Sequence, residues 1–104
     1  MCKKKVIYIA GPITSVERYW EAFEKAEDEL IALGFTPISP TRLPVGLTED
    51  QYARINFATI DISNAVYFLP GWMHSKGARL EYEYCACTNK ITFDSLPRLK
   101  EALG

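Results

Sequence analysis

A serine, a glycine and a glutamate stand at positions 75, 77 and 81 in the stretch "PGWMHSKGARLEYEY". With Ser75 as the N-cap of a helix, Gly77 falls in the first turn and Glu81 in the second, on the same face. Glu81 then leans back towards the helix N-terminus. Gly77 has no side chain and leaves space directly above the carboxylate. Ser75 and the free N–H groups of the first turn make a rim that suits a phosphate or a sugar hydroxyl. Cys85, one turn further on, continues the Glu81 stripe inward. Glu81 is therefore expected at the floor of a pocket, half desolvated, with its pKa raised. Each residue alone has an ordinary structural reading, since capping serines, glycines near helix starts and solvated glutamates are common. Their combination at the end of a buried strand is what points to function.

The neighbouring residues carry weaker signals. His74 is the only histidine and could act as a general acid or base. With no carboxylate partner visible in the sequence, it reads as a surface residue outside the catalytic set. Glu83 points to the opposite face and reads as solvated. Lys76 and Arg79 could steer a phosphate or simply solvate the helix. Trp72 could stack on a base or pack over the strand before it. Tyr8, in the middle of a strand, reads on sequence grounds as a core aromatic.

These residues need elements to hold them. "KKVIYIAGP" reads as a buried strand stopped by Gly-Pro. The helix "TSVERYWEAFEKAEDELIALG" follows, with capping-box spacing at Thr14 and Glu17 and a C-cap at Gly34. Trp20, Phe23, Glu27, Leu30 and Ile31 fall at helical intervals along it. "FTPISP" is a short second strand, and the prolines of "SPTRLPVGL" mark a loop. "TEDQYARINFATIDISNA" opens with a second capping box, Thr48 to Gln51, and carries Tyr52, Ile55, Thr59 and Ile62 on one face. "AVYFL" is a third strand, apolar throughout, as in a parallel sheet buried on both sides. After the helix around 77–88 come "KITF" as a fourth strand and a short amphipathic helix in "SLPRLKEALG".

Strand and helix alternate throughout, which implies an α/β fold: a small doubly wound, mostly parallel sheet of four to five strands, helices on both faces, Rossmann-like or flavodoxin-like. Residues 1–104 read as a single domain. The first strand is expected between the second and third, so the first and third meet at a topological switch point. Ligands in such sheets sit outside the carboxyl ends of those strands, here "AGPIT" and "LPGWMHSKG". The pocket is expected there.

Composition limits the classes of function. The 104 residues are 48% hydrophobic and 24% charged, with a net charge of −1, so neither a nucleic-acid nor a bilayer footprint is indicated. No apolar run approaches the roughly 20 residues of a membrane span, and "MCKKK" lacks the h-region of a signal peptide. Cys2, Cys85 and Cys87 are odd in number and suit a reducing, cytoplasmic location, with Cys85 and Cys87 as buried small hydrophobes. One histidine and no second cysteine pair leave no metal site in view, and no cofactor is indicated.

"VIYIAGP", "NFATIDISNAVYFLPGW" and "SKGARLE", taken in order over nearly the whole chain, resemble the nucleoside 2-deoxyribosyltransferase superfamily. The small deoxyribosyltransferase-like proteins with "IYIAGP" and "LPGW" signatures look most similar, and the 2'-deoxynucleoside 5'-monophosphate N-glycosidases form a second branch. The resemblance implies that Glu81 attacks the anomeric carbon of a deoxyribosyl group and forms a covalent ester, later relieved by a base or by water. It implies that Tyr8 orients this glutamate. Gly11, Pro12 and Ile13 match the turn that hugs sugar and base. Asn56, Gly71 and Trp72 fall at substrate-contacting positions, and Ser75 and Gly77 match the loop that holds the 5' end. The chain departs from the family at Asn56 and Asn64, where aspartates are common; an amide donates no titrating proton. Asp61 is one turn from Asn56 but on a different helix face. The chain also lacks segments that complete the site in longer transferases, which favours a homo-oligomer. The implied function is cleavage or transfer at the N-glycosidic bond of a (2'-deoxy)nucleoside or nucleoside 5'-monophosphate. The alternative is a nucleotide-binding module that keeps the pocket and has lost efficient catalysis.

Overall fold

The computed structural model describes residues 4–12 and 19–104. Ile13, Cys2 and the Thr14–Glu17 capping box lie outside the described residues. Four strands, β1 (Val6–Ala10), β2 (Thr36–Ile38), β3 (Ala65–Phe68) and β4 (Thr92–Phe93), form one sheet in the order β2-β1-β3-β4. Every neighbouring pair is parallel. The helices between and after them are α1 (Tyr19–Ala32), α2 (Glu49–Ile62), α3 (Lys76–Cys87) and α4 (Leu96–Leu103). β1 lies between β2 and β3 as expected, and β1 and β3 run in register from Ile7 opposite Ala65 to Ala10 opposite Phe68.

Alternation along β1 and β3 sorts their side chains onto two faces. Ile7, Ile9, Ala65 and Tyr67 pack with Phe23, Ala26 and Leu30 of α1 and Leu99 of α4. Tyr8, Ala10, Val66 and Phe68 pack with Ile60 of α2 and Cys85 of α3. The sheet is thus covered on both sides, the doubly wound arrangement.

The ends of α2 are fixed by local chemistry. Thr48 and Gln51 form the expected capping box, the Gln51 N–H donating to Thr48 Oγ1 at 3.1 Å and the Thr48 N–H to Gln51 Oε1 at 2.9 Å. At the other end the Lys90 ammonium donates to the Ser63 carbonyl at 2.6 Å, satisfying an oxygen that the helix leaves over. Asn64 then locks β3 to β1, since its Oδ1 accepts the Val6 N–H and its own N–H donates to the Val6 carbonyl, both at 2.7 Å.

Three expectations are corrected. The inward face of α2 carries Asn56 and Ile60, with Ser63 just beyond the helix, whereas Ile55 is 39% and Ile62 69% exposed. The apolar pattern misleads there because a buried position is occupied by an amide. On α1 the core residues are Phe23, Ala26, Glu27 and Leu30, with Trp20 and Ile31 largely outside. Glu27 is inward because Arg42 reaches it with two hydrogen bonds, Nη2 to Oε1 at 3.0 Å and Nε to Oε2 at 3.3 Å, which compensate a buried charge. Cys85 is buried but Cys87, two residues on and so turned away on the helix, is exposed.

Candidate active site

The third strand leads into the site. Gly71, after the β3 end, holds a left-handed backbone (φ 86°) and starts a short 3-10 turn, Trp72–His74; that conformation favours glycine. Ser75 then caps α3, its Oγ accepting the Ala78 N–H at 3.3 Å. The hydroxyl keeps its own proton for another acceptor. Gly77 is exposed in the first turn, and a Cβ built there would meet nothing within 4 Å. Below it the same helix face turns inward through Ala78, Glu81 and Cys85, all buried.

Glu81 is 8% exposed. The Tyr8 hydroxyl of β1, at a residue 1% exposed, donates to its Oε2 at 2.8 Å. Asn56 of α2, 9% exposed, lies near enough to the same carboxylate to favour its charged form. Burial pushes the Glu81 pKa up from 4.5 to about 7, against the hydrogen bonds from Tyr8 and Asn56, which favour the charged form. Burial, with the Glu81 charge next, holds the Tyr8 phenol well above its usual range. Burial and the same charge push the Cys85 thiol up to about 11, so Cys85 stays a neutral wall beneath the carboxylate. Three side chains 73 positions apart at the extreme thus meet in one cluster between the sheet and the α2–α3 layer.

The other expected site residues sort out as follows. Gly11 and Pro12 are buried at the carboxyl end of β1. A Cβ on Gly11 would come to 3.0 Å from the Leu69 side chain, so packing just past the end of β3 favours this glycine whatever ligand is bound. Trp72 rests on Phe68 at 4.9 Å between ring centroids and stacks on Tyr82 at 4.8 Å and 27°, which realises its packing role over the third strand. His74 and Glu83 are exposed, as are Lys76 and Arg79. Asp61 accepts the Tyr84 hydroxyl at 2.6 Å.

Phe57 and Tyr84 had no role in the sequence reading. Their rings stack at 4.3 Å and 6°, joining α2 to α3 beside the cluster. The signal available was their position: Phe57 follows Asn56, and Tyr84 lies three residues beyond Glu81, on neighbouring helix faces. Among the described residues, no group of three His, Cys, Asp or Glu side chains is placed to hold a metal ion, and no helix is long and apolar enough to cross a membrane.

A buried carboxylate held by the Tyr8 hydroxyl, one helical turn beyond an exposed glycine, can act as a nucleophile towards an electron-poor carbon. Comparison with known proteins adds the fold. The chain is similar to a solved structure described as 2-desoxiribosyltransferase from Leishmania mexicana, with a TM-score of 0.68 and 21% sequence identity. The match covers 86% of this chain and 62% of that one, so the chain spans about 62% of that protein's length. The α/β fold implied by the sequence resemblance is therefore the fold found. A search of curated proteins gave no match. Residues 5–93 match the family model DUF4406, described as a domain of unknown function, and the chain belongs to that family.

Proposed function

We propose that the protein cleaves or transfers at the N-glycosidic bond of a (2'-deoxy)nucleoside or nucleoside 5'-monophosphate, with Glu81 as nucleophile. One observation carries this reading: a carboxylate 8% exposed, held by the Tyr8 hydroxyl at 2.8 Å, on a helix whose first turn carries an exposed glycine with open space around its Cβ position. Its likeness in fold to a 2-desoxiribosyltransferase supports the choice of bond. In the first step a Glu81 oxygen bonds to the anomeric carbon as the carbon–nitrogen bond breaks, and the electron pair leaves with the base, which takes a proton from solvent. In the second step water or another base attacks the same carbon and the ester oxygen leaves as the Glu81 carboxylate. Tyr8 fixes the carboxylate's orientation, and Ser75 with the α3 N-terminus holds the 5' end. Gly11, Pro12, Ile13, Gly71 and Trp72 shape the walls. A homo-oligomer, in which a second copy closes the pocket, belongs to the same proposal.

A second reading is a binding module that uses the same pocket without turnover. Asn56 favours it, because an amide at this place cannot protonate a leaving base. The two separate in one experiment. The protein is incubated with a panel of deoxynucleosides and deoxynucleoside monophosphates, and free base is measured by chromatography. Base release that disappears in Glu81→Ala is the expected result. Tight binding without base release from any member of the panel would overturn the enzyme in favour of the binding module.

A further inference from the structure

Between the end of β3 and the first turn of α3, residues 70–77 lie mostly in solvent, and only Trp72 and Ser75 among them are partly buried. A segment with so few buried contacts opens at little cost unless something fastens it. Trp72 supplies the anchor. Its indole tilts against Phe68, 2% exposed, at 4.9 Å between ring centroids, and stacks on Tyr82 at 4.8 Å and 27°. Tyr82 in turn meets Phe68 edge-on at 5.5 Å and 72°, so the three rings close a triangle at the end of β3. These separations and angles are those at which aromatic pairs attract beyond the area they bury. Phe68 belongs to the sheet, Trp72 to the loop and Tyr82 to α3.

The backbone ties the indole to the residue that caps α3. The Trp72 N–H donates to the Leu69 carbonyl at 3.2 Å, and the Ser75 N–H donates to the Trp72 carbonyl at 3.0 Å. Ser75 then accepts twice from α3, at Oγ from the Ala78 N–H at 3.3 Å and at its carbonyl from the Arg79 N–H at 3.0 Å. The place of Trp72 therefore governs where the Ser75 hydroxyl and the first N–H groups of α3 point. Tyr82 stands seven residues beyond Ser75, two turns along the same helix face. It is 42% exposed, so its loss leaves no closed cavity in the core.

We propose that Tyr82 is a positioning residue: by stacking on Trp72 it latches the loop 70–75 to α3 and so aims Ser75 and the α3 N-terminus at the 5' end of the substrate. This rests on the proposed function for what is aimed at, so the first readout needs no substrate. Trp20→Phe leaves Trp72 the only tryptophan, and acrylamide quenching of its fluorescence then reports how far the indole is shielded. In that background Tyr82→Ala is expected to raise quenching towards that of a fully exposed indole. Tyr82→Phe keeps the ring and is expected to quench as the parent does. Tyr82→Leu is read in place of the alanine variant should that one fail to fold. Unchanged quenching in a folded variant without the ring overturns the latch.

Turnover of deoxynucleoside 5'-monophosphates supplies the second readout. Tyr82→Ala is expected to raise KM about tenfold, the scale of two lost aromatic pair contacts. kcat should stay near the parent value, because Tyr8 and Glu81 keep their hydrogen bond. Tyr82→Phe should restore KM. Where the protein binds without turnover, Kd takes the place of KM. Raised quenching with a parent-like KM for every monophosphate overturns Tyr82 as a positioning residue. A parent protein that neither binds nor cleaves any of them removes the proposed function instead, and the latch then stands or falls by the quenching alone.

Discussion

The two faces of the sheet are built from alternate residues of the same strands, yet they hold different things. On the α1 and α4 side, Ile7, Ile9, Phe23, Leu30 and Leu99 close into an apolar core. On the α2 and α3 side, one residue over in each strand, Tyr8 and Val66 share their layer with Glu81 and Asn56. Burial on the first face removes carbon from water and stabilises the fold. Burial on the second desolvates a carboxylate, raises its pKa to about 7 and costs stability. Both faces hold apolar core. The buried carboxylate of α1, Glu27, is paired with the Arg42 guanidinium, whereas Glu81 on the second face is held by the neutral Tyr8 hydroxyl. Uncompensated burial of that kind is common at sites that do chemistry.

The largest test of this division falls on the α1 and α4 face. Phe23 is fully buried, and Phe23→Ala is expected to cost about 3–5 kcal/mol, from lost burial plus the cavity left behind. Urea unfolding measures the loss, and base release per folded molecule should be unchanged. A fall in that specific activity as steep as the one caused by Glu81→Ala would mean that the two faces are not separable.

The next test is of opposite sign. The folded Glu81 pKa of about 7 lies above its ordinary 4.5. Between these values the unfolded chain has lost the proton while the folded chain keeps it, so stability falls as pH rises through that window and levels off above about pH 7. The difference amounts to about 3 kcal/mol at pH 8 and vanishes below about pH 4.5. Glu81→Gln cannot ionise, and its amide oxygen can still accept the Tyr8 hydroxyl. It is expected to match the parent protein in urea stability near pH 4 and to exceed it by about 3 kcal/mol at pH 8. An equal stability difference at both pH values would show that Glu81 is not desolvated in solution.

Period and punctuation in the sequence were enough for the framework. The run "VIYIA" between lysines and Gly-Pro marked β1, "AVYFL" marked β3, and the regular alternation with helices put β1 between β2 and β3. The Ser75, Gly77 and Glu81 stripe was equally legible, because all three lie on one helix and helical geometry fixes their relation. Tyr8 and Asn56 were not legible in that way. Each joins the cluster across a long sequence separation, which no local pattern encodes, and a tyrosine in a strand looks the same whether its hydroxyl meets a carboxylate or a backbone carbonyl. α2 shows the same limit from the other side: Ile55 and Ile62 drew the predicted core face towards themselves because the true inward position is polar. Asn56 was singled out only through the family resemblance.

The smallest expected effect separates two glycines. Gly11 is favoured by packing, since a Cβ would come to 3.0 Å from Leu69, whereas a Cβ at Gly77 would meet nothing within 4 Å. A glycine inside a helix costs about 0.5–1 kcal/mol relative to alanine, so the local structure of α3 gains nothing from Gly77. Gly77→Ala is therefore expected to stabilise the fold by about that amount, measured by urea unfolding. Under the proposed function the added methyl group enters the space meant for the sugar, and one such group in a close-fitting site is worth about tenfold or more in kcat/KM. A more stable protein with weaker turnover would mark the space over Gly77 as reserved for substrate. Higher stability with kcat/KM unchanged would place the sugar elsewhere and move the pocket away from the α3 N-terminus.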